Sequence, residues 1–187
     1  DSPRWVPGSS APFMRLDDPI VGVRSRGKAW AIPWWVMKNH HTANLDLDGT
    51  PYLISFCERC TGAAAFDPIV DGKRLRFRIR GAYKGTPLLV DDDTGSYWSS
   101  FVGEAVRGPR KGRVLGQRPI IQSIWRDWLA ANPETLVPDG EGEHRDGHGS
   151  RFYPGDPISG RGLTNTILRL DDRLPPATMV LGVAAGT

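Results

Sequence analysis

The chain has 187 residues, is 39% hydrophobic and 24% charged, and carries a formal net charge of +3. That length and balance suit one globular domain with a real core. Its basic residues are mostly Arg and lie interleaved with acidic ones along the chain, which argues against nucleic-acid binding. No apolar run approaches the ~20 residues needed to cross a bilayer as a helix.

With 22 Gly and 16 Pro, turns should be many and long helices few. The chain opens at Asp1 without a Met, which suggests processing or trimming and fits a removed targeting segment. The first predicted element is a hairpin. Ile20 to Arg24 and Lys28 to Ile32 are apolar runs joined by the polar, Gly-containing turn Ser25-Arg26-Gly27. Asp48-Gly49 marks a second turn and feeds a strand, Pro51 to Phe56, that runs into Cys57. Val70-Asp71-Gly72-Lys73 marks a third turn.

The next strand has the strictest pattern in the chain. Leu75, Phe77 and Ile79 alternate with Arg74, Arg76, Arg78 and Arg80, a period of two that sends the apolar side chains to the core and the guanidinium groups to the opposite face. That face either binds an anion or an acidic partner, or is solvated and paired with nearby Asp. Leu88 to Val90 and Tyr97-Trp98 are short strands either side of Asp91-Asp92-Asp93, which lacks the spacing of a calcium loop and reads as a solvated turn.

One short helix is expected near 123–131. Ser123 is its N-cap, Trp125, Trp128 and Leu129 form its apolar face, and Asn132-Pro133 ends it. Residues 138–162 are polar and Gly-rich and read as a surface excursion. Glu143, His144, Asp146 and His148 fall inside it, where Gly147 and Gly149 disfavour a helix, so the reading is adventitious metal binding or none. Residues 177–183 resemble residues 18–23, which suggests the start of a second, related segment at 177–187. The fold class is mainly β (α+β): a compact β-rich domain over 1–187, barrel- or sandwich-like, with that one helix.

The chemistry concentrates at Cys57 and Cys60, the only cysteines, in Cys57-Glu58-Arg59-Cys60. A Cys-x-x-Cys pair can hold a soft metal, close as a redox-active disulfide, or serve as an inert staple. His40 and His41 lie upstream and supply imidazole. Two thiolates with a His match copper or zinc in ligand type. Adjacent residues of a strand face opposite ways, so only one of the two His would join the sulfurs. Trp34-Trp35, just before them, could wall a pocket. Against the redox reading, only one helical turn fits between Cys60 and Pro68, whereas the thioredoxin pattern uses a helix N-terminus. No Ser-His-Asp triad, phosphate loop or dinucleotide fingerprint is present.

Several spaced motifs resemble the bacterial and archaeal family known as the domain of unknown function 3179. They are Phe56-Cys57-Glu58-Arg59-Cys60 running on to Phe66-Asp67, Gly81-Ala82-Tyr83 with Val90 to Trp98, and Trp125-Arg126-Asp127-Trp128 with Asn132 to Val137. Upstream, Ala29-Trp30-Ala31-Ile32-Pro33 and His40-His41-Thr42-Ala43-Asn44 are similar to further family segments. Glu58 and Arg59 stand where the family has Pro-Leu, and His41 where Glu is usual. The resemblance implies an extracytoplasmic, periplasmic β-rich domain with metal or redox chemistry, and it selects His40 as the ligand partner of the sulfurs. The functional expectation is a soft-metal (copper or zinc) protein using His40, Cys57 and Cys60, with His41 as the neighbouring candidate. The alternatives are a thiol–disulfide redox protein at the Cys pair and a non-catalytic accessory subunit of a larger assembly, stapled by that pair and bound to a protein partner.

Overall fold

The computed structural model describes residues 3–58, 60–139 and 173. The chain begins with β1 (Trp5–Pro7), then the hairpin β2 (Pro19–Ser25) and β3 (Lys28–Pro33), the helix α1 (Trp34–His40), and the strands β4 (Thr42–Leu47), β5 (Thr50–Cys57) and β6 (Gly62–Phe66). There follow β7 (Ile69–Val70), β8 (Lys73–Arg74), β9 (Phe77–Tyr83), β10 (Thr86–Asp91), β11 (Tyr97–Ser99) and β12 (Ala105–Arg107). Last come β13 (Gln117–Arg118), β14 (Ile121–Ile124), the helix α2 (Trp125–Ala131) and β15 (Leu136–Pro138).

Four hairpins share one turn chemistry. Arg26-Gly27, Asp48-Gly49, Asp71-Gly72 and Lys84-Gly85 each form a two-residue loop, and every one of these eight residues has positive φ, from 48° to 80°. Two consecutive left-handed residues match the right-handed twist of the strands they join, and Gly at the second position removes the Cβ clash.

The strands form three main sheets, ordered β1-β15-β3-β2-β14, β13-β6-β5-β4 and β12-β11-β10-β9, with β7-β8 as a small ribbon. All pairs are antiparallel except β15 on β3. The sheets stack as layers and none closes into a barrel. Val21, Val23, Trp30 and Ile32 meet Leu45, Tyr52, Ile54 and Phe56 between the first and second sheets. Leu53 and Phe66 meet Phe77, Leu89 and Trp98 between the second and third. On the outer face of the first sheet, Trp125 and Trp128 of α2 pack with Ile20 and Ala31. β5 is therefore covered on both faces, and six consecutive residues, Tyr52 to Cys57, are buried. That explains why its sequence, Ser55 apart, runs apolar at successive positions and does not alternate.

The Arg-rich strand has the expected orientation. Leu75 and Phe77 are buried, Ile79 packs at the edge of the same cluster, and Arg74, Arg76, Arg78 and Arg80 are exposed. Arg74 pairs with Asp46 and Arg78 with Asp92, so Asp residues do meet this face. The strand breaks at residues 75–76, where Leu75 donates to the Pro68 carbonyl.

The structure has a second helix that the sequence reading did not expect. α1 spans Trp34–His40, so His40 ends a helix and His41 is its left-handed C-cap with φ 55°. The assumption that the two His alternate along a strand is corrected accordingly. α2 begins at Trp125, two residues after the expected cap. Ser123 lies in β14, paired with Ile20. The first free N–H groups of α2 are satisfied instead by backbone, Trp125 to the Asp18 carbonyl and Arg126 to that of Leu16, so no side-chain cap is needed. The segment at 177–187 and the cluster of Glu143, His144, Asp146 and His148 lie outside the described residues.

Candidate functional site

β5 and β6 pair from Leu53↔Phe66 to Cys57↔Gly62, which leaves a four-residue loop, residues 58–61, at the hairpin end. Cys57 is the last residue of β5 and is 2% exposed. The loop turns back through Thr61, whose φ is 48° and whose N–H donates to the Glu58 carbonyl. This brings Cys60 beside Cys57 with Cα atoms 5.2 Å apart, and a disulfide joins them. Cys60 is solvent-exposed. The sulfurs thus differ in setting, with one residue at the end of a buried strand and the other on the surface.

Polar groups surround the pair. The Cys60 N–H donates to Cys57 Sγ at 3.1 Å. Cys60 Sγ lies 3.9 Å from the Gly85 carbonyl, at the tip of the β9–β10 hairpin. A Cβ placed on Gly62 would meet the Phe101 ring at 3.3 Å, so that ring lies close against the base of the loop. Lys38 of α1 forms a partly buried ion pair with Glu58 at 3.2 Å, which ties the helix to the Cys turn.

The two His occupy different environments. His40 is exposed at the last position of α1. His41 N–H donates to Met37 O, and its carbonyl accepts from Phe56 N at 2.8 Å, one residue before Cys57. His41 Nδ1 is buried and has no hydrogen-bond partner among the described residues. Trp34, at the other end of the same helix, packs its ring on Phe56 at 5.3 Å. Among the described residues no three or more His, Cys, Asp or Glu side chains are grouped to hold a metal ion. The structure therefore brings Cys57 and Cys60 together and does not gather His40 or His41 with them in such a group.

The remaining motif residues serve the architecture. Asn44 acts as a piece of backbone: its amide donates to Phe77 O and its carbonyl accepts from Phe77 N, both at 2.8 Å, which joins β4 to β9. Asp67 binds Arg118 and the N–H of Ile69. Trp128 Nε1 donates to Thr135 Oγ1. Asp91, fully buried, accepts from the N–H of Thr94 and Asp93, the Thr94 hydroxyl, Trp98 Nε1 and Arg110. Burial pushes the Asp91 carboxyl up, but the bonds from Thr94 and Trp98 and the charge of Arg110 outweigh it and hold the carboxyl below its ordinary range. Asp91 and its donors form a satisfied structural node. Among the motifs in the described residues, the Cys turn is the one whose groups are not all taken up by these structural bonds.

Sequence reasoning missed Thr42 and Ser55, paired across β4 and the strand that ends at Cys57, whose hydroxyls are buried without partners among the described residues. A signal for Ser55 was present: it is the one hydroxyl in the apolar run Leu53-Ile54-Ser55-Phe56.

The whole chain, residues 1–187, matches the family described as protein of unknown function (DUF3179), and it belongs to that family. Comparison with curated proteins and with solved structures gives no match. Among the described residues no helix is long and apolar enough to cross a membrane.

Proposed function

We propose that this member of the family is an extracytoplasmic thiol–disulfide protein in which Cys60 is the sulfur open to attack and Cys57 the buried leaving and resolving sulfur. The observation that carries the reading is the disulfide between two unequally exposed residues. A partner's thiolate attacks Cys60 Sγ, a bond forms between those sulfurs, the Cys57–Cys60 bond breaks, and its electron pair leaves on Cys57. The Cys60 N–H, already directed at Cys57 Sγ, stabilises that thiolate. In the opposite direction, reduced Cys60 attacks a partner's disulfide and Cys57 resolves the mixed disulfide. Net exchange converts one disulfide and one dithiol into the other pair. A disulfide of this kind persists in an oxidising compartment, which supports the extracytoplasmic placement.

Trapping tests the reading. Cys57→Ser should leave Cys60 free to form a lasting mixed disulfide with oxidised glutathione or a disulfide-bonded peptide, read by mass. Cys60→Ser should react at least tenfold more slowly. Equal rates, or a pair that dithiothreitol reduces only on unfolding, would leave the disulfide as a structural staple of an accessory subunit.

A second reading, a copper or zinc ion on the reduced pair, draws support from the same N–H to Sγ bond and from the unpartnered Nδ1 of His41. Protein purified reduced and without chelator would then carry about one such ion per chain and show both thiols protected from alkylation.

A further inference from the structure

Ser55 is out of place by composition. It is 0% exposed in a strand whose neighbours are apolar, and its hydroxyl has no partner among the described residues. Directly across β4 stands Thr42, whose buried hydroxyl likewise has none. Opposed residues of an antiparallel pair share a face with Cβ atoms about 5 Å apart. Residues two apart along a strand also share a face. Thr42, Ser55 and Cys57 therefore form one contiguous strip, on the face that carries Leu53 toward the third sheet. Buried polar groups without partners are rare in folded proteins, and each calls for a reason. Here two of them share a strand face with the buried Cys57.

We propose that the Thr42 and Ser55 hydroxyls solvate the Cys57 sulfur when it is released as a thiolate, directly or through one bridging water, and so set how readily the disulfide is reduced. The idea deepens the thiol–disulfide reading, since it needs Cys57 to be the leaving sulfur. In the disulfide, Cys57 Sγ is a neutral and weak acceptor, so an O–H donor gains little from it. When the Cys57–Cys60 bond breaks, the electron pair and a full charge arrive at a residue that bulk water barely reaches. Hydrogen bonds to a charged acceptor are the strong ones, so the hydroxyls bind the reduced state more tightly than the oxidised one. That difference shifts the equilibrium. Among the described residues, the charged and titratable groups in the adjoining elements are the Lys38–Glu58 ion pair at the loop, His40 and His41 at the end of α1, and Lys84 next to Gly85 in the β9–β10 turn. Thr42 and Ser55 act as positioning residues, with no bond made or broken at their oxygens.

Two readouts test this, and neither needs a substrate. In a Cys60→Ser background Cys57 is the only thiol, and thiolate absorbance near ~240 nm reports its pKa. Ser55→Ala should raise that pKa by about one unit, Thr42→Val should raise it as well, and Thr42→Ser should leave it unchanged. In the two-cysteine protein, equilibration in a glutathione buffer should show the reduction constant falling about tenfold in Ser55→Ala, a potential about 30 mV more negative. Folding is checked by circular dichroism, and Thr42→Val, close in volume, carries the same readout if Ser55→Ala does not fold. Unchanged pKa and potential in both folded variants would overturn the proposal, and trapping at Cys60 could still succeed. A shifted pKa with no trapping at Cys60 would keep the hydroxyl role and remove the exchange function.

Discussion

Truncating Asp91 to Ala should cost this protein about 3–5 kcal/mol, the loss expected when one member of a buried, charged, hydrogen-bonded group is removed. The geometry sets the scale. Asp91 is 0% exposed and accepts from Thr94 N at 2.6 Å, Trp98 Nε1 at 2.8 Å and Arg110 Nη1 at 3.2 Å. Ala at this position strands the indole N–H of Trp98, itself fully buried, and removes the carboxylate facing an Arg110 side chain that is 13% exposed. A stranded neutral donor costs about 1–3 kcal/mol, and losing a charge-assisted bond adds to it, although the parts do not sum simply. Urea unfolding is the assay. With a slope near 2 kcal/mol per M, the midpoint should fall by about 2 M. Asp92→Ala breaks only an exposed pair with Arg78 and should change stability by less than about 1 kcal/mol. The pH dependence gives an independent check. An unfolded Asp titrates near ~3.9, and the native Asp91 lies lower. As pH falls through that interval the unfolded state binds the proton first, so the stabilisation is complete above about pH 5 and is lost progressively below about pH 4, as the pH falls through the native value. The wild type should therefore show a steeper acid limb than Asp91→Asn. A loss under about 1 kcal/mol for Asp91→Ala, with the unfolding slope unchanged, would refute the account of this node.

Asn44→Ala removes the clamp on both backbone groups of Phe77 and should destabilise by about 1–3 kcal/mol, read by thermal or urea unfolding. Gly22→Ala would drive a Cβ into the Trp128 ring and should cost about 1–3 kcal/mol, with a change in near-UV circular dichroism from that indole. Phe77→Ala should cost about 3–5 kcal/mol, whereas Arg80→Ala, on the exposed face of the same strand, should stay within about 0.5 kcal/mol. Comparable losses for the last two would mean that the strand's alternation does not set its burial.

Local chemistry made much of the fold legible. The X-Gly turns need positive φ at both positions, and Gly supplies the second at little cost, so three of the four hairpins could be placed from the chain alone. The alternation from Arg74 to Arg80 fixed which side chains enter the core, because a period of two leaves no other choice. The run before Cys57, apolar but for Ser55, belongs to a strand covered on both faces. α1 escaped notice for a physical reason. Trp34-Trp35-Val36-Met37 is aromatic and β-branched, with no capping side chain at Pro33, and the segment becomes a helix with Val36 and Met37 in the core between the first two sheets. Ser123 looked like a cap because its neighbours along the chain allow it. The backbone of Leu16 and Asp18, more than a hundred residues upstream, took that role.

The site divides along the same line. The chain alone shows that any thiol chemistry falls on Cys57 and Cys60, since the sequence has no other cysteine and only two residues separate them. The burial of Cys57 beside an exposed Cys60, the place of His40 at the surface end of a helix, and the shared strand face of Thr42, Ser55 and Cys57 come from the folded structure. Burial of β5 comes from the sheet stacked on each of its faces, and the alignment of Thr42 with Ser55 comes from strand register. Both are set by contacts between segments distant in the chain, which no window of neighbouring residues contains.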